Sequence, residues 1–408
     1  MRNFDELETR SADERAADLA RQLPNLISCA KTSVPALDGL LPEDSDSIRS
    51  VEDLVRLPVL RKSELVRRQS ENPPFGGFWA LSLSDADYVF QSPGPIYEAG
   101  RIAHDWWRLG RFLFACGIGR GDIVQNCFSY HLTPGGIMFE NGARAVGATV
   151  LPAGTGNTEI QVRAASDIGA TAYAGTPDYL KIILEKSDEM KLELTRLRNA
   201  VLSGGALFSS LRQGYEDRGI ACRQCYATAE IGNIAYETVA GEPMVVDEGV
   251  IVEIVTPGTG IPVEPGAVGE VVVTVLSEEN PIIRLATGDL SSLVPGQSPC
   301  GRTNARISGW KGRADQTAKV KGMFVRPEQV ADIVSRHPEV HSARIVVVRE
   351  NEMDSMTVKL ETESTDPSPY SLTVREILKL SGKIVLCRKG ELPKDGKVID
   401  DRRDYGDR

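Results

Sequence analysis

The sequence predicts an α/β protein: a large N-terminal α/β domain, a strand-rich subdomain joined to it, and a small C-terminal α+β domain. Three observations carry the prediction. From Asp122 to Glu230, strand and helix patterns alternate in short units, as a mostly parallel sheet covered by helices demands. After Glu230 the helical period stops and apolar runs such as VGEVVVTVL take over, punctuated by turn signals at Gly258-Thr259-Gly260 and Pro265-Gly266. From about Gln316 a separate pattern begins, with one helix opened by Arg326-Pro327 and strands at 344–349 and 356–363.

Size and charge bound the function. At 408 residues and 41% hydrophobic content, the chain supports roughly two to three domains with ordinary cores. The 57 acidic and 47 basic side chains give a formal net charge of -10, which argues against a nucleic-acid or anionic-membrane binder. No apolar run approaches the roughly 20 residues a membrane span needs, and the start MRNFDELETRSADE is unlike a secretory signal. The expected address is the cytoplasm. Cys29, Cys116, Cys127, Cys222, Cys225, Cys300 and Cys387 are odd in number and thinly spread, so they read as reduced thiols.

Each element follows from local chemistry. In residues 1–85, SADERAADLARQLPNLISCAK spaces its apolar residues for one amphipathic helix, and Ser63-Glu64-Leu65 opens another. Tyr88 begins a strand that runs into the turn Ser92-Pro93-Gly94-Pro95, and the stretch 98–117 has helical apolar spacing that places Trp106 and Trp107 toward a core. Strands at 123–128, 148–151, 171–174, 200–202 and 220–226 then alternate with helices at 135–146, 159–167, 178–191 and 207–217. The expected division is an N-terminal domain 1–315, made of a lead-in (1–85), an α/β sheet (86–230) and a β-rich subdomain (231–315), followed by a C-terminal domain 316–408.

Five polar clusters stand out. Ser203-Gly204-Gly205-Ala206 and Tyr226-Ala227-Thr228-Ala229-Glu230 fall just beyond carboxyl ends of strands, where open α/β sheets collect ligands. Thr287-Gly288-Asp289, Gly312-Arg313-Ala314-Asp315 and Pro393-Lys394-Asp395-Gly396-Lys397 follow. Any one of them alone reads as an ordinary turn. In this order, over essentially the whole chain, they resemble the core signature of the adenylate-forming (AMP-binding) enzymes, most closely the phenylacetate-CoA ligase branch.

The resemblance implies the adenylate-forming fold, with a β-barrel-like subdomain and a C-terminal lid, and it implies roles. Ser203, Gly204, Gly205, Ala206, Tyr226 and Ala227 would form the adenine pocket. Thr228 would lie near the α-phosphate, and Glu230 would hold Mg²⁺. Asp289 would accept the ribose hydroxyls, as an ionised carboxylate accepts both at once, and Arg313 would support ribose or phosphate. Lys397 would neutralise charge during adenylation. Lys321-Gly322 would face the site for the CoA half-reaction after rotation about Asp315. Tyr130, Gly135, Gly136 and Phe139 would form a flat acyl slot suited to an aromatic ring. ATP, AMP, Mg²⁺ and CoA are the implied cofactors and co-substrates, an aromatic acid the implied substrate, and a homodimer compatible by analogy.

The sequence also departs from that pattern. Where the family has a Gly/Ser/Thr-rich phosphate loop ending in lysine, only Ser92 and Gly94 remain, and Pro93 and Pro95 remove amide donors. Of the ligands that hold a structural zinc in many relatives, Cys300 remains, while Ser298, Thr238 and Gly249 occupy the other places, so no structural zinc is expected. Cys222 and Cys225 have CxxC spacing on a strand, which points them to opposite faces, and they read as buried small residues. His131 reads either as a structural residue or as a substrate contact. Three functional readings stay open: an aryl-CoA ligase, an adenylating enzyme with a non-CoA acceptor, and a non-catalytic AMP- or acid-binding homologue.

Overall fold

A computed structural model describes residues 3–92, 95–205, 207–316, 318–320, 323–350, 353–393 and 397–403. Two compact units divide the chain: Met1–Thr287 with Ser292–Gly309, and Gly288–Ser291 with Trp310–Arg408. The α/β architecture follows the sequence pattern.

The first unit opens with α1 (Ala12–Ser33), which starts at a capping box between Ser11 and Glu14 and buries Leu19, Leu23, Leu26, Ile27 and Ala30. Such reciprocal capping satisfies donors that the first helical turn leaves unpaired. The short strand β1 (Leu60–Arg61) leads directly into α2 (Lys62–Glu71). Next, β2 (Tyr88–Ser92) and β3 (Ile96–Gly100) form an antiparallel hairpin closed by the pair Ser92 and Ile96.

Here the expected helix over 98–117 is corrected. Residues 98–100 finish β3, and only α3 (Gly110–Ala115) is helical. Asp105 and Arg108 take positive φ values of 49° and 59°, a backbone that an α-helix of L-residues does not use. Asp105 Oδ1 accepts from the Gly110 amide at 2.8 Å. Trp107 is core nonetheless, buried against Phe90 and Gly100.

From there the pattern alternates: β4 (Ile123–Asn126), α4 (Gly135–Ala145), β5 (Thr149–Pro152), α5 (Thr158–Ile168), β6 (Ala172–Gly175), α6 (Pro177–Met190), β7 (Asn199–Leu202), α7 (Ser209–Glu216) and β8 (Ala221–Thr228). Strands β4 to β7 pair in parallel in the order β5-β4-β6-β7, with β8 next to β7. The order reverses at β4, so the crevice at a topological switch lies beyond its carboxyl end. The outer half of β8 turns antiparallel to β9 (Gly232–Tyr236), with a register shift between Tyr226 and Ala227. Cys222 and Cys225 are both buried in this strand.

A second sheet is built from β11 (Val250–Val255), β12 (Gly269–Val275) and β13 (Ile282–Ser291), with β1 added in parallel to β13; β10 (Met244–Val246), β14 (Leu293–Val294) and β15 (Arg306–Ile307) extend the first sheet beyond β9. Residues of β11 and β12 are buried throughout. Arg284, fully buried on β13, donates to both oxygens of Glu253 at 3.0 and 2.9 Å and to the Gly260 and Leu57 carbonyls. That one side chain ties the lead-in to the second sheet.

The second unit carries β16 (Ala318–Val320), β17 (Met323–Val325), α8 (Pro327–Ser335), β18 (Val340–Glu350), β19 (Met353–Thr362), α9 (Ser368–Leu378), β20 (Lys383–Cys387) and β21 (Ile399–Asp401). Its main sheet has the order β20-β19-β18-β21 and shares a core with α8 and α9 through Ile333, Ile345, Val358, Leu360, Tyr370 and Val374. Among the described residues, no helix is long and apolar enough to cross a membrane.

Candidate active site

The carboxyl ends of β4, β6, β7 and β8 bring the first group of candidates together. Beyond β7, Ser203 is buried; its amide donates to the Gly175 carbonyl at 3.2 Å and its hydroxyl to the Cys225 carbonyl at 3.1 Å. Gly204 has φ +70° and would bring a Cβ to 3.8 Å from the Phe128 ring, an ordinary contact distance, so it is the backbone conformation that would strain a side chain there. The Gly205 carbonyl accepts from Gln224 Nε2 at 2.7 Å. The polar turn therefore has a fixed backbone, tied on both sides to β8 and β6. Ala206 lies outside the described residues.

At the end of β8, Tyr226 donates its hydroxyl to Thr287 Oγ1 at 2.9 Å, and Thr228 Oγ1 accepts from the Ile231 amide at 3.3 Å. The register shift at Tyr226 and Ala227 re-aims the strand where it leaves the sheet, a common device beside functional sites. Glu230 follows, 6% exposed. Its Oε1 pairs with Lys62 Nζ at 2.9 Å, while Oε2 is buried without a hydrogen-bond partner. A half-satisfied buried carboxylate fits a hard cation, which takes oxygen ligands and completes its shell with water and phosphate. The residues present therefore fit the Mg²⁺ that an ATP-dependent reaction uses. No group of three or more metal-ligating side chains occurs among the described residues.

Lys62 was not singled out from the sequence. A signal existed, since it is the first residue of α2, where a cation opposes the positive end of the helix dipole. Glu98 was missed as well, because 98–100 read as helix. It is 1% exposed on β3, and its Oε1 accepts from Ser92 Oγ at 2.5 Å. Burial pushes the Glu98 carboxyl up to about 8; the Ser92 hydrogen bond opposes this, Glu230 adds to it, and Lys62 opposes it. The Ser92 hydroxyl is thus committed inside the hairpin. Gly94 lies outside the described residues.

Glu230 stands between two recesses of the first unit. One, about 320 Å³ with its open mouth, is lined by Trp79, Trp106, Trp107, Arg108 and Asn280; the other, about 420 Å³ with its mouth, is apolar and lined by Leu60, Phe78, Trp79, Ile96 and Ile282.

The expected acyl slot is rearranged. Phe139 is buried behind Phe128, the two rings stacked at 4.1 Å. A Cβ on Gly136 would meet the Tyr130 ring at 2.7 Å, and one on Gly135 would sit 3.6 Å from Phe128. Phe139 is therefore corrected from a lining residue to core, and Phe128, which the sequence did not single out, stands next to Gly135 and Gly204. The Tyr130 hydroxyl accepts from Asn126 Nδ2 at 2.8 Å and donates to Glu140 Oε2 at 3.1 Å. Its ring is held flat on Gly136 by that pair of bonds. His131 is exposed, and its amide donates to Ser129 Oγ at 3.1 Å in a local turn.

The second unit holds the other candidates. Asp289 is largely buried; its Oδ1 accepts from Trp310 Nε1 at 3.1 Å and from Arg313 Nη1 at 3.4 Å, and the two backbones form a bridge. Gly288, at φ +76°, would place a Cβ 3.1 Å from Arg313 Nη2, so the guanidinium lies on the glycine. Trp310 is half-exposed beside this pair and is a further residue the sequence did not flag. Asp315 lies in a single 3₁₀ turn, Ala314–Gln316. Lys397 is exposed, and its carbonyl accepts from Arg344 Nη1 at 3.2 Å. Lys321 and Gly322 lie outside the described residues.

Away from these clusters, two of the three other zinc-ligand places, Thr238 and Ser298, come together with Cys300, while Gly249 lies against Arg108 and Asp247. Thr238 Oγ1 and Ser298 Oγ are 3.2 Å apart, Ser298 Oγ and Cys300 Sγ 3.1 Å, and Arg302 Nη1 donates to Cys300 Sγ at 3.4 Å. Arg302 is fully buried and also paired with Glu8 at 2.7 Å.

No family model matches the chain. Curated relatives do. The chain is 31% identical over 376 residues to a phenylacetate-coenzyme A ligase of Thermus thermophilus, covering 87% of this chain and 83% of that one. It is 28% identical over 435 residues to the Escherichia coli phenylacetate-coenzyme A ligase, covering 97% and 96%. Among solved structures, 2-hydroxyisobutyryl-CoA ligase in the postadenylation state, in complex with 2-HIB-AMP, superposes with a TM-score of 0.81 at 25% identity, over 97% of this chain and 91% of that one.

Proposed function

Starting from a chain that belongs to the phenylacetate-CoA ligase family, an AMP-forming acid–CoA ligase, we propose that it activates an aromatic carboxylic acid as its acyl-AMP and transfers the acyl group to CoA. The observation that carries this reading is the end of β8, where a re-aimed strand sets Tyr226, Thr228 and a half-satisfied Glu230 beside the Ser203–Gly205 turn.

In the first step a carboxylate oxygen attacks the α-phosphorus of ATP, and the bond to the leaving pyrophosphate breaks. In the second, the CoA thiol attacks the acyl carbon, its proton is lost to solvent or base, and AMP leaves. Ser203, Gly204, Gly205 and Tyr226 would hold the adenine, and Thr228 would meet the α-phosphate. Asp289, positioned by Arg313 and Trp310, would accept the ribose hydroxyls. Glu230 would hold Mg²⁺, whose charge screens the phosphates. Lys62, already on Glu230, would add a cation that the hairpin between β2 and β3 does not supply. Lys397 would neutralise charge developing at the α-phosphate, and Lys321-Gly322 would serve the thiol step after rotation at Asp315. Phe128, lying on Gly135 and near Gly204, favours a flat ring over a branched acyl group at that wall.

A second reading, a non-catalytic AMP- or acid-binding protein, draws on one observation: the Ser92 hydroxyl is spent on Glu98 instead of standing open to a phosphate. One experiment separates them. Pyrophosphate release is measured with Mg²⁺ and ATP over a panel of aryl acids, with and without CoA. Acid-dependent release that falls about 10²–10³-fold in Lys397→Ala, the range for losing one charge-stabilising donor, is the expected result. AMP binding without release from any acid would establish the second reading.

A further inference from the structure

We propose that Glu98 is a second carboxylate ligand, with Glu230, for the divalent cation that accompanies the nucleotide, so that a cation held by the hairpin replaces the missing phosphate loop. The proposal rests on the adenylation reading for its purpose, though not for its test.

Strand geometry puts Glu98 on the relevant side. Ile96 lines the apolar recess that Glu230 also lines, and residues two apart on a strand share a face. Glu98, two residues along β3, therefore faces with Ile96. The two carboxyls and the Lys62 ammonium are near enough to act on one another electrostatically. Each carboxyl has one oxygen engaged, Glu98 Oε1 by Ser92 and Glu230 Oε1 by Lys62. In each, Oε2 is buried without a partner.

Two buried carboxyl oxygens in one neighbourhood stand without a partner, which buried polar atoms rarely do. A hydrogen-bond donor would satisfy one of them. A hard divalent cation answers both, and Mg²⁺ is characteristically held by one or two carboxylates plus substrate phosphates. The hairpin that carries Glu98 strengthens the inference: Pro93 and Pro95 leave it few amides to offer a phosphate. Cation-mediated contact thus takes the place of amide-mediated contact.

The probe is Mn²⁺ alone, titrated into the full-length protein and followed by the loss of its free electron paramagnetic resonance signal. We expect wild type to bind one Mn²⁺ and both Glu98→Gln and Glu230→Gln to weaken that binding at least tenfold, with near-ultraviolet circular dichroism unchanged. Asp188→Asn, which removes an exposed carboxylate on α6 that lines neither recess, should leave it within threefold. If Glu98→Gln does not fold, Glu98→Asp carries the test, since it keeps the charge but withdraws the oxygens by one methylene; it too should bind at least tenfold more weakly. Binding unchanged in the folded Glu98 variant, or no binding by wild type, overturns the site. Pyrophosphate release measured in parallel keeps the two readings apart. Mn²⁺ held through Glu98 in a chain that releases none would sustain the site and remove adenylation, whereas release with unchanged Mn²⁺ affinity in Glu98→Gln would do the reverse.

Discussion

Burial raises the thiols of Cys222 and Cys225 to about 12 and those of Cys116 and Cys127 higher still, so these four are inert near neutrality. At Cys300 burial also pushes upward, but hydrogen bonds from Ser298, Thr238 and Arg302 outweigh it and lower the thiol to about 7. The thiolate is the reactive form, and it is populated above that value and lost below it. Alkylation by iodoacetamide, mapped by peptide mass spectrometry, should therefore label Cys300 ahead of those four at neutral pH, with a rate that rises through pH 7. Cys300→Ser should remove that label. A rate at Cys300 that climbs only above pH 8.5 would show that the hydroxyls and the guanidinium do not stabilise the thiolate. The same four side chains show how a cysteine that reads from sequence as the remnant of a ligand set acquires another environment. Two hydroxyls and the buried Arg302 have taken the space, and only coordinates reveal that Arg302 arrives there anchored by Glu8, far away in sequence.

Elements were legible where one period governed a whole segment. The strands and helices from Ile123 to Thr228 lie within a few residues of their sequence-predicted limits, because short strand segments alternate regularly with helices that each carry one apolar face. The stretch 98–117 failed because its apolar residues, spaced like a helical face, reach the core by chain reversals at Asp105 and Arg108 instead. That failure hid Glu98, and with it the polar cluster around Glu230. Arg284 was equally invisible: a lone arginine in an apolar run gives no hint that it bonds Glu253, Leu57 and Gly260 at once. Its value can be tested at this scale. Replacing one partner of a buried pair leaves the other charge unanswered, typically at about 3–5 kcal/mol. Arg284→Ala should lower the urea midpoint accordingly, and the double variant with Glu253→Gln should recover part of the loss. Additive losses in the double variant would mean that the two side chains act independently and that Arg284 matters chiefly through the carbonyls of the lead-in.

At the scale of the whole molecule, the candidate residues fall in both compact units: Ser203, Tyr226, Thr228 and Glu230 in the first, Asp289, Arg313 and Lys397 in the second. The polypeptide crosses between units at Thr287 and Gly288, inside β13, so a motif that reads as one turn in sequence is shared between two cores. A sequence cut after Asp315 could not anticipate this, because the return of Gly288–Ser291 to Trp310–Arg313 depends on backbone pairing such as Leu290 to Gly312 at 2.8 Å. From Gln316 onward, however, the core is self-contained. Strands β18 and β19 pair along nearly their whole length, β20 and β21 flank them, and the Val398 amide donates to Gln316 Oε1 at 2.8 Å. A segment of about 90 residues with one such core is long enough to fold alone. The fragment 316–403 should therefore melt cooperatively, with dispersed amide resonances, and Val358→Asp should abolish both by placing a charge in the centre of its sheet. It should bind no AMP, since the proposed adenine pocket is absent from it. A fragment that shows only a broad, non-cooperative loss of ellipticity would mean that this core needs Gly288–Ser291 and Trp310–Asp315 to close, and that the boundary of the second folding unit lies at the crossing inside β13.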